Sequence, residues 1–436
     1  MTLLVISPDY ASHLYPLLTL ASAWDAAGER VVVATGDAVA PLVERAGFER
    51  VPLLLGRGSN AGTARVEDQP TGEDVNLRAF FDATYAGMIP TLRLQAELRR
   101  NDLLWRPEEA ARATIEVVHE VAPDAILVDH LAFGATLGLG AAGIPYTDVV
   151  LGHPSALTLP GERYGVPTAW PVAFDPDPRE LAALEQVADQ VSAQFTEDWN
   201  EAQRALDAGS LAVDDAFRVH GETVLFNYPE ALHDPHRTAR LPNRHAFLGF
   251  AARDEELDAE AAAWLAVDPD RPLVVVSFGS FLSERADVLA KVAAGLAGTG
   301  VRVAMATGSA DPARLGDQPG DWLIRPFLPQ VALMRHASVA ITHAGNNGVT
   351  EALSFGVPVL ALPFSTDQFA VAADLERVGL GRAADPNQVT PGQIRNAVLA
   401  LLDGSERAAA GSLGQSLRAD PGPARARRLQ STVIST

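Results

Sequence analysis

Short apolar runs recur along this chain at a spacing that few folds accommodate. LLVIS (Leu3 to Ser7), VVVAT (Val31 to Thr35), AILVD (Ala125 to Asp129), YTDVV (Tyr146 to Val150) and TVLFN (Thr223 to Asn227) are each short enough to be strands. Continuous apolar strands separated by helices predict a parallel sheet covered on both faces. Between the first two runs, Leu17, Leu20, Ala21 and Trp24 recur with a helical period. The plan then repeats in LVVVSFGS (Leu273 to Ser280), RVAMAT (Arg302 to Thr307), WLIRPF, VAIT (Val339 to Thr342) and PVLALP (Pro358 to Pro363). The expected fold class is therefore α/β, with two doubly wound, Rossmann-like domains. A length of 436 residues is too great for one ordinary core and suits two. The first domain is expected over 1–235 and a linker rich in Pro, Arg and His over 236–250. The second domain is expected over 251–415, and a tail or helix over 416–436 packing back on the first domain.

Composition removes several function classes. With no Cys, the chain has no disulfide, thiolate metal site or cysteine nucleophile, which fits a cytoplasmic location. A formal net charge of -21 opposes nucleic-acid binding, and Arg425, Arg427 and Arg428 read as a solvated tail helix. Lys291 is the only lysine and follows no Gly-rich phosphate loop, which argues against a P-loop ATPase and a pyridoxal-phosphate enzyme. No apolar run approaches the roughly 18 residues of a membrane span, and MTLLVISPDYASH reads as a first core strand rather than a signal peptide. GLGAAG (Gly138 to Gly143) matches the dinucleotide-binding pattern literally, but a helical stretch precedes it and a strand follows. Its order is wrong for a phosphate loop, and its glycines are expected to end a helix.

Chemistry concentrates in THAGNNGVTEALSFGVPVLALPFSTDQ, Thr342 to Gln368. The strand VAIT delivers His343 at its carboxyl end, and Gly345 lets a ligand approach the backbone. Asn346 and Asn347 are expected to cap a helix from about Gly348 to Phe355. The first amides of such a helix lack intrahelical partners and face outward with the positive end of the dipole, an anion site suited to phosphate. A capped helix alone does not explain why His343, Glu351, Asp367 and Gln368 gather at strand ends.

The same residues carry a resemblance. His343, Gly345, Glu351, Gly356, Pro358, Pro363, Asp367 and Gln368 are similar in identity and spacing to the donor-sugar signature of family 1 glycosyltransferases. That family has the GT-B fold, two Rossmann-like domains facing across a cleft. The resemblance implies that Gln330 contacts the nucleobase, Glu351 the ribose hydroxyls, and Asp367 and Gln368 the donor sugar. His343, Asn347, Gly348 and the helix amides, with Ser280, would take the diphosphate. Gly348 stands where many plant members have Ser, and Asn346 where they have Trp, both closer to bacterial members. SHLYPLLTLA (Ser12 to Ala21) resembles the family segment that carries the general base, with Ser12 in place of Gly. His13 then matches the base and Asp129 the acid that orients it.

Two insertions, Gly56 to Arg106 and His153 to Asn200, are rich in aromatic residues. They make Phe81, Tyr85, His153 and Trp170 acceptor-side candidates; Asp9, near the first strand, is a further one, and Asp9 and His153 are the substitute bases. The implied activity is inverting transfer from a UDP- or TDP-sugar to a hydrophobic natural-product acceptor. It needs no metal and no cofactor beyond the nucleotide sugar, in a monomer or homodimer without a membrane span. A nucleotide-sugar epimerase of the same fold, which needs no acceptor, and a non-catalytic nucleotide-sugar-binding helper are the alternatives.

Overall fold

The computed structural model describes residues 1–60, 73–99 and 103–434, with the side chains of 73, 74, 280, 281 and 431–434 outside that description. Seven strands form the N-terminal sheet: β1 (Thr2–Ile6), β2 (Arg30–Thr35), β3 (Glu49–Pro52), β4 (Ala125–Asp129), β5 (Thr147–Val150), β6 (Thr223–Phe226) and β7 (His245–Phe247). Six form the C-terminal sheet: β8 (Leu273–Ser277), β9 (Arg302–Ala306), β10 (Leu323–Arg325), β11 (Val339–Thr342), β12 (Val359–Ala361) and β13 (Gly381–Ala383). Their orders are β3-β2-β1-β4-β5-β6-β7 and β10-β9-β8-β11-β12-β13, and every pairing is parallel.

The apolar runs are continuous because both faces of each sheet are covered. Leu3 and Val5 point to one core, with Leu14, Leu17 and Trp24 of the helix Ala11–Asp25, while Leu4 and Ile6 point to another, with Val117 and Leu139. Likewise Val274 and Val276 face one layer of the C-terminal domain and Leu273 and Val275 the other. At about 25 cal/mol per Å² of apolar surface buried, these layers drive folding.

Three strands carry no such run. β3, β7 and β13 each lie at a sheet edge, where one flank needs no apolar neighbour, and read ERVP, HAF and GRA. β7 falls inside the expected 236–250 linker, yet it is hydrogen-bonded to β6 as the last strand of the N-terminal sheet. The chain thus leaves that sheet only after Phe247, and the next helix is Ala259–Ala266. GLGAAG lies at the end of the helix Phe133–Ala141, and Gly143 has φ +64. A Cβ on Gly138 would stand 2.6 Å from the Ala111 carbonyl oxygen, so that glycine serves close helix packing.

Helices of each domain reach across to the other. In the helix Glu73–Ala86, Leu77, Phe80 and Phe81 pack against Phe278, Leu282 and Phe364 of the C-terminal core. Near its C-terminal end, buried Arg285 donates to the Thr84 carbonyl, to Asp287 and to Asn387. The last helix, Gly422–Ile434, packs on the N-terminal domain: Ala426 is buried beside Leu14 and Trp24, and Arg427 pairs with Glu29 at 3.0 Å. The single lysine is structural, its Nζ donating to the Pro386 and Asn387 carbonyls.

Candidate active site

Each sheet reverses its strand order once, between β1 and β4 in one domain and between β8 and β11 in the other. Crevices at the carboxyl ends of such strands are the usual ligand sites of doubly wound sheets. The two crevices open into one cavity of about 800 Å³, lined by both domains.

On the N-terminal side, the helix Ala11–Asp25 follows β1 and carries His13 in its first turn. Asp129 ends β4, the neighbouring strand. His13 Nδ1 lies 2.7 Å from Asp129 Oδ2, and Asp129 Oδ1 accepts the Leu131 amide at 2.9 Å. Asp129 is buried, while 26% of the His13 side chain is exposed to the cavity. This geometry puts the proton on Nδ1 and leaves Nε2 as the free base. Burial disfavours the imidazolium, but the charge and hydrogen bond of Asp129, with the charge of Asp367, outweigh it. The His13 pKa stands above its ordinary 6.5.

On the C-terminal side, the helix after β11 runs Asn346–Ser354, starting two residues earlier than the sequence suggests, with Gly345 as N-cap. Neither asparagine caps it. Asn346 instead donates to the Leu151 and Asn227 carbonyls, and Asn347 to the Ser12 carbonyl at 2.8 Å. Both therefore bridge to the N-terminal domain. The helix amides stay unclaimed by a side-chain cap and face the cavity edge that Gly345, Asn347 and Gly348 line. A Cβ on Gly345 would fall 2.3 Å from His343 Nε2, so glycine there makes room for the ring. Ala344 between them is held at φ +65, a costly conformation for a residue with a Cβ. Burial lowers the His343 pKa to about 4 against the opposing charge of Asp367, so His343 is neutral near pH 7.

Glu351 sits one turn along the helix. Its Oε2 accepts from Gln330 Nε2 at 2.9 Å, and its Oε1 lies 3.9 Å from Arg253 Nη1. Burial raises the Glu351 pKa to about 7, against the lowering effects of Arg253 and Gln330. Arg253 also stacks over the Tyr15 ring at 4.8 Å and pairs with Glu255 at 2.8 Å. No motif marks this arginine; it lies just after β7 and reaches the site only through the fold.

At the end of β12 the turn reaches Asp367 through Thr366, held at φ +52. Asp367 lines the cavity, and its Oδ2 accepts the His153 amide of the other domain at 2.6 Å. Gln368 lines it too, but its Oε1 accepts the Phe364 and Ser365 amides and its Nε2 donates to Ser365 Oγ. That amide chiefly shapes its own turn. Ser280 belongs to the short helix Gly279–Leu282, and its side chain lies outside the described residues.

The acceptor-side candidates are placed elsewhere. Asp9 accepts the Ala38 and Val39 amides after β2. Phe81 is buried in the C-terminal core, half-exposed Tyr85 stacks with Arg285, and Trp170 packs on Phe369. The His153 ring is buried with Nε2 3.1 Å from Asp374 Oδ2, so it is not available as a base. The aromatic and polar residues that do line the cavity beside His13 are Tyr15, Phe80, Gln95, Arg99 and Tyr164. Both insertions contribute to the cavity wall, but helix phase decides which ring faces it, and that phase is set by packing.

Residues 187–410 match the family model of the UDP-glucoronosyl and UDP-glucosyl transferases. A UDP-glucosyltransferase of Bacillus subtilis, YojK, is 32% identical over 113 residues, 26% of this chain and 28% of that protein. The oleandomycin glycosyltransferase of Streptomyces antibioticus is 29% identical over 194 residues, 44% of each chain. The chain thus spans less than half the length of these curated relatives. The crystal structure of glycosyltransferase VinC in complex with DTDP superposes with TM-score 0.68 over the whole of both chains at 18% identity. That likeness establishes the two-domain GT-B architecture.

Proposed function

We propose, from the premise that this chain belongs to the UDP-glucoronosyl and UDP-glucosyl transferase family, that it moves a sugar from a nucleoside diphosphate to a hydroxyl-bearing acceptor with inversion. One observation carries the reading: the His13–Asp129 pair, 2.7 Å apart, opens into the same cavity as the helix start at Asn346. His13 Nε2 accepts the acceptor's proton as its oxygen attacks the anomeric carbon, and Asp129 steadies the imidazolium through Nδ1. The leaving diphosphate goes to the helix amides, with Asn347 donating from its side-chain amide and the neutral His343 ring lining the site. Gln330 contacts the base, Glu351 the ribose and Asp367 the sugar hydroxyls. Holding both reactants in one cavity supplies much of the rate gain.

Either UDP or TDP fits this reading. The family description supports UDP, and VinC is a fold relative seen with DTDP. An apolar natural product is the acceptor class favoured by the oleandomycin relative and by Phe80, Tyr164 and Val166 in the cavity wall. No metal is required, because the helix terminus supplies the positive potential that Mg²⁺ supplies elsewhere.

The test is a thermal-shift panel of UDP, TDP and their sugars, then acceptor screening with the best donor. A ligand held by the folded state at 100 times its Kd adds about 2.7 kcal/mol of apparent stability. Conversion of a nucleotide sugar in the absence of any acceptor, with no glycoside formed when acceptors are present, supports the epimerase instead.

A further inference from the structure

The turn after β5 belongs to the N-terminal domain, yet it grips a C-terminal helix at two points. The helix Gln368–Arg377 has Asp367 at its N-cap and Asp374 two turns along, so both carboxylates lie on one face. His153 engages both. Its amide donates to Asp367 Oδ2 at 2.6 Å, and its ring meets Asp374 Oδ2 at 3.1 Å. The ring's Nδ1 accepts the Ser155 amide at 3.1 Å, so Nε2 carries the proton and donates to Asp374. Tyr228 of the N-terminal domain adds its hydroxyl to the same Asp374 oxygen at 2.9 Å. Asp367 Oδ1 accepts from its neighbour Thr366 at 2.9 Å, so each carboxylate oxygen is fixed, one by its own turn and one by the opposite domain.

Gly152 precedes His153 and has no left-handed φ to explain a glycine. What explains it is space. A Cβ there would stand 2.7 Å from Asp367 Oδ2, closer than real Cβ contacts allow. We infer that Gly152 and the His153 amide are positioning groups for the donor sugar: the N-terminal domain, through them, sets the Asp367 carboxylate that recognises the sugar. The inference rests on the donor role proposed for Asp367. Its consequence is that the sugar subsite is complete only while the two domains meet along this helix. The base and ribose ends of the nucleotide subsite, Gln330 and Glu351, lie on other elements and share none of these hydrogen bonds.

The experiment is a double-mutant cycle of Gly152→Ala and Asp367→Ala, with UDP, TDP, UDP-glucose and TDP-glucose as probes. Calorimetry gives each Kd, and kcat/KM is measured for the donor. Gly152→Ala is expected to leave the Kd of the free diphosphate within about twofold while donor kcat/KM falls by about tenfold or more. In the Asp367→Ala background the added methyl should have no further effect, because the group it displaces is gone. Should Gly152→Ala fail to fold, Asp374→Asn, which loosens the ring's grip but keeps its shape, takes its place in the cycle. Equal loss of diphosphate and diphosphate-sugar affinity overturns the inference, as does additivity of the two substitutions. Wild-type protein that binds neither UDP nor TDP overturns the glycosyl-transfer reading and this inference with it.

Discussion

The two walls of the cleft use histidine in opposite ways. In the C-terminal wall, His343 hydrogen-bonds no carboxylate among the described residues, and burial lowers its pKa to about 4. Across the cavity, His13 is backed by Asp129 at 2.7 Å, and its pKa is raised. The first ring stays neutral near pH 7; the second is held ready to carry a charge. The walls also differ in how they are encoded. The C-terminal wall comes largely from one stretch, Thr342 to Gln368, wrapped around β11, a helix and β12, with Gln330 and Arg253 joining it at Glu351. The base wall joins residues 116 positions apart that meet only because β1 and β4 are neighbours. Recognition of a fixed ligand can be written in a contiguous loop–helix unit, whereas proton transfer needs a partner that sheet topology must bring in.

The sharpest way to break this contrast is to remove the base. His13→Ala should lower transfer to an alcohol acceptor by roughly 10²–10⁴-fold, the usual worth of a positioned base, with nucleotide affinity unchanged. In the wild type, kcat/KM should fall as pH drops through the His13 pKa, with a midpoint above 6.5, because only neutral imidazole accepts a proton. Asp129→Asn should move that midpoint down, since it removes the charge that holds the imidazolium. Near-normal transfer by His13→Ala would reject the assignment.

A smaller effect is expected on the donor wall. Asp367→Ala should reduce donor kcat/KM by about 10- to 100-fold, the equivalent of losing one hydrogen bond to a charged group at about 1.5–3 kcal/mol. Melting temperature measured on the same variant separates recognition from structure: a large drop there with unchanged donor kinetics would make Asp367 a folding residue.

Glu351 offers a test of burial itself. Its pKa is raised from 4.5 to about 7 in the folded protein, so the stability this gives is present below pH 4.5 and lost as pH rises to about 7. The loss is on the order of 3 kcal/mol. Glu351→Gln should therefore gain in melting temperature relative to wild type between pH 5 and pH 8, by several degrees. A pH-independent difference between the two proteins contradicts a buried, hard-to-ionise carboxylate. The smallest expected effect is none: exhaustive chelation should leave activity within about twofold, and a loss restored only by Mg²⁺ or Mn²⁺ shows that the helix terminus is not sufficient.

The legible and illegible parts of the molecule follow the same physics. β1, β2, β4, β5 and β6 were readable because two-sided burial demands continuous apolar residues, whereas the edge strands β3, β7 and β13 impose no such demand. The placing of His13 and Asp129 at the crevice, and of His343 to Gln368 at strand ends, was readable from motif. The bridging of Asn346 and Asn347 to the other domain was not, because it depends on how two separately folded units meet. Nor was Arg253, since a charged residue after β7 looks like any solvated connector until Tyr15 and Glu351 are brought beside it.

The helix Gly422–Ile434 joins parts of the chain that lie far apart in the order of synthesis. The surface it covers, beside Leu14 and Trp24, is translated about 400 residues earlier. That apolar face must wait, unsealed, while the entire C-terminal domain is translated and folds. At roughly 5–20 residues per second the delay between residues 25 and 422 is on the order of tens of seconds. The core around Leu14 and Trp24 is thus completed only by a helix made about 400 residues later.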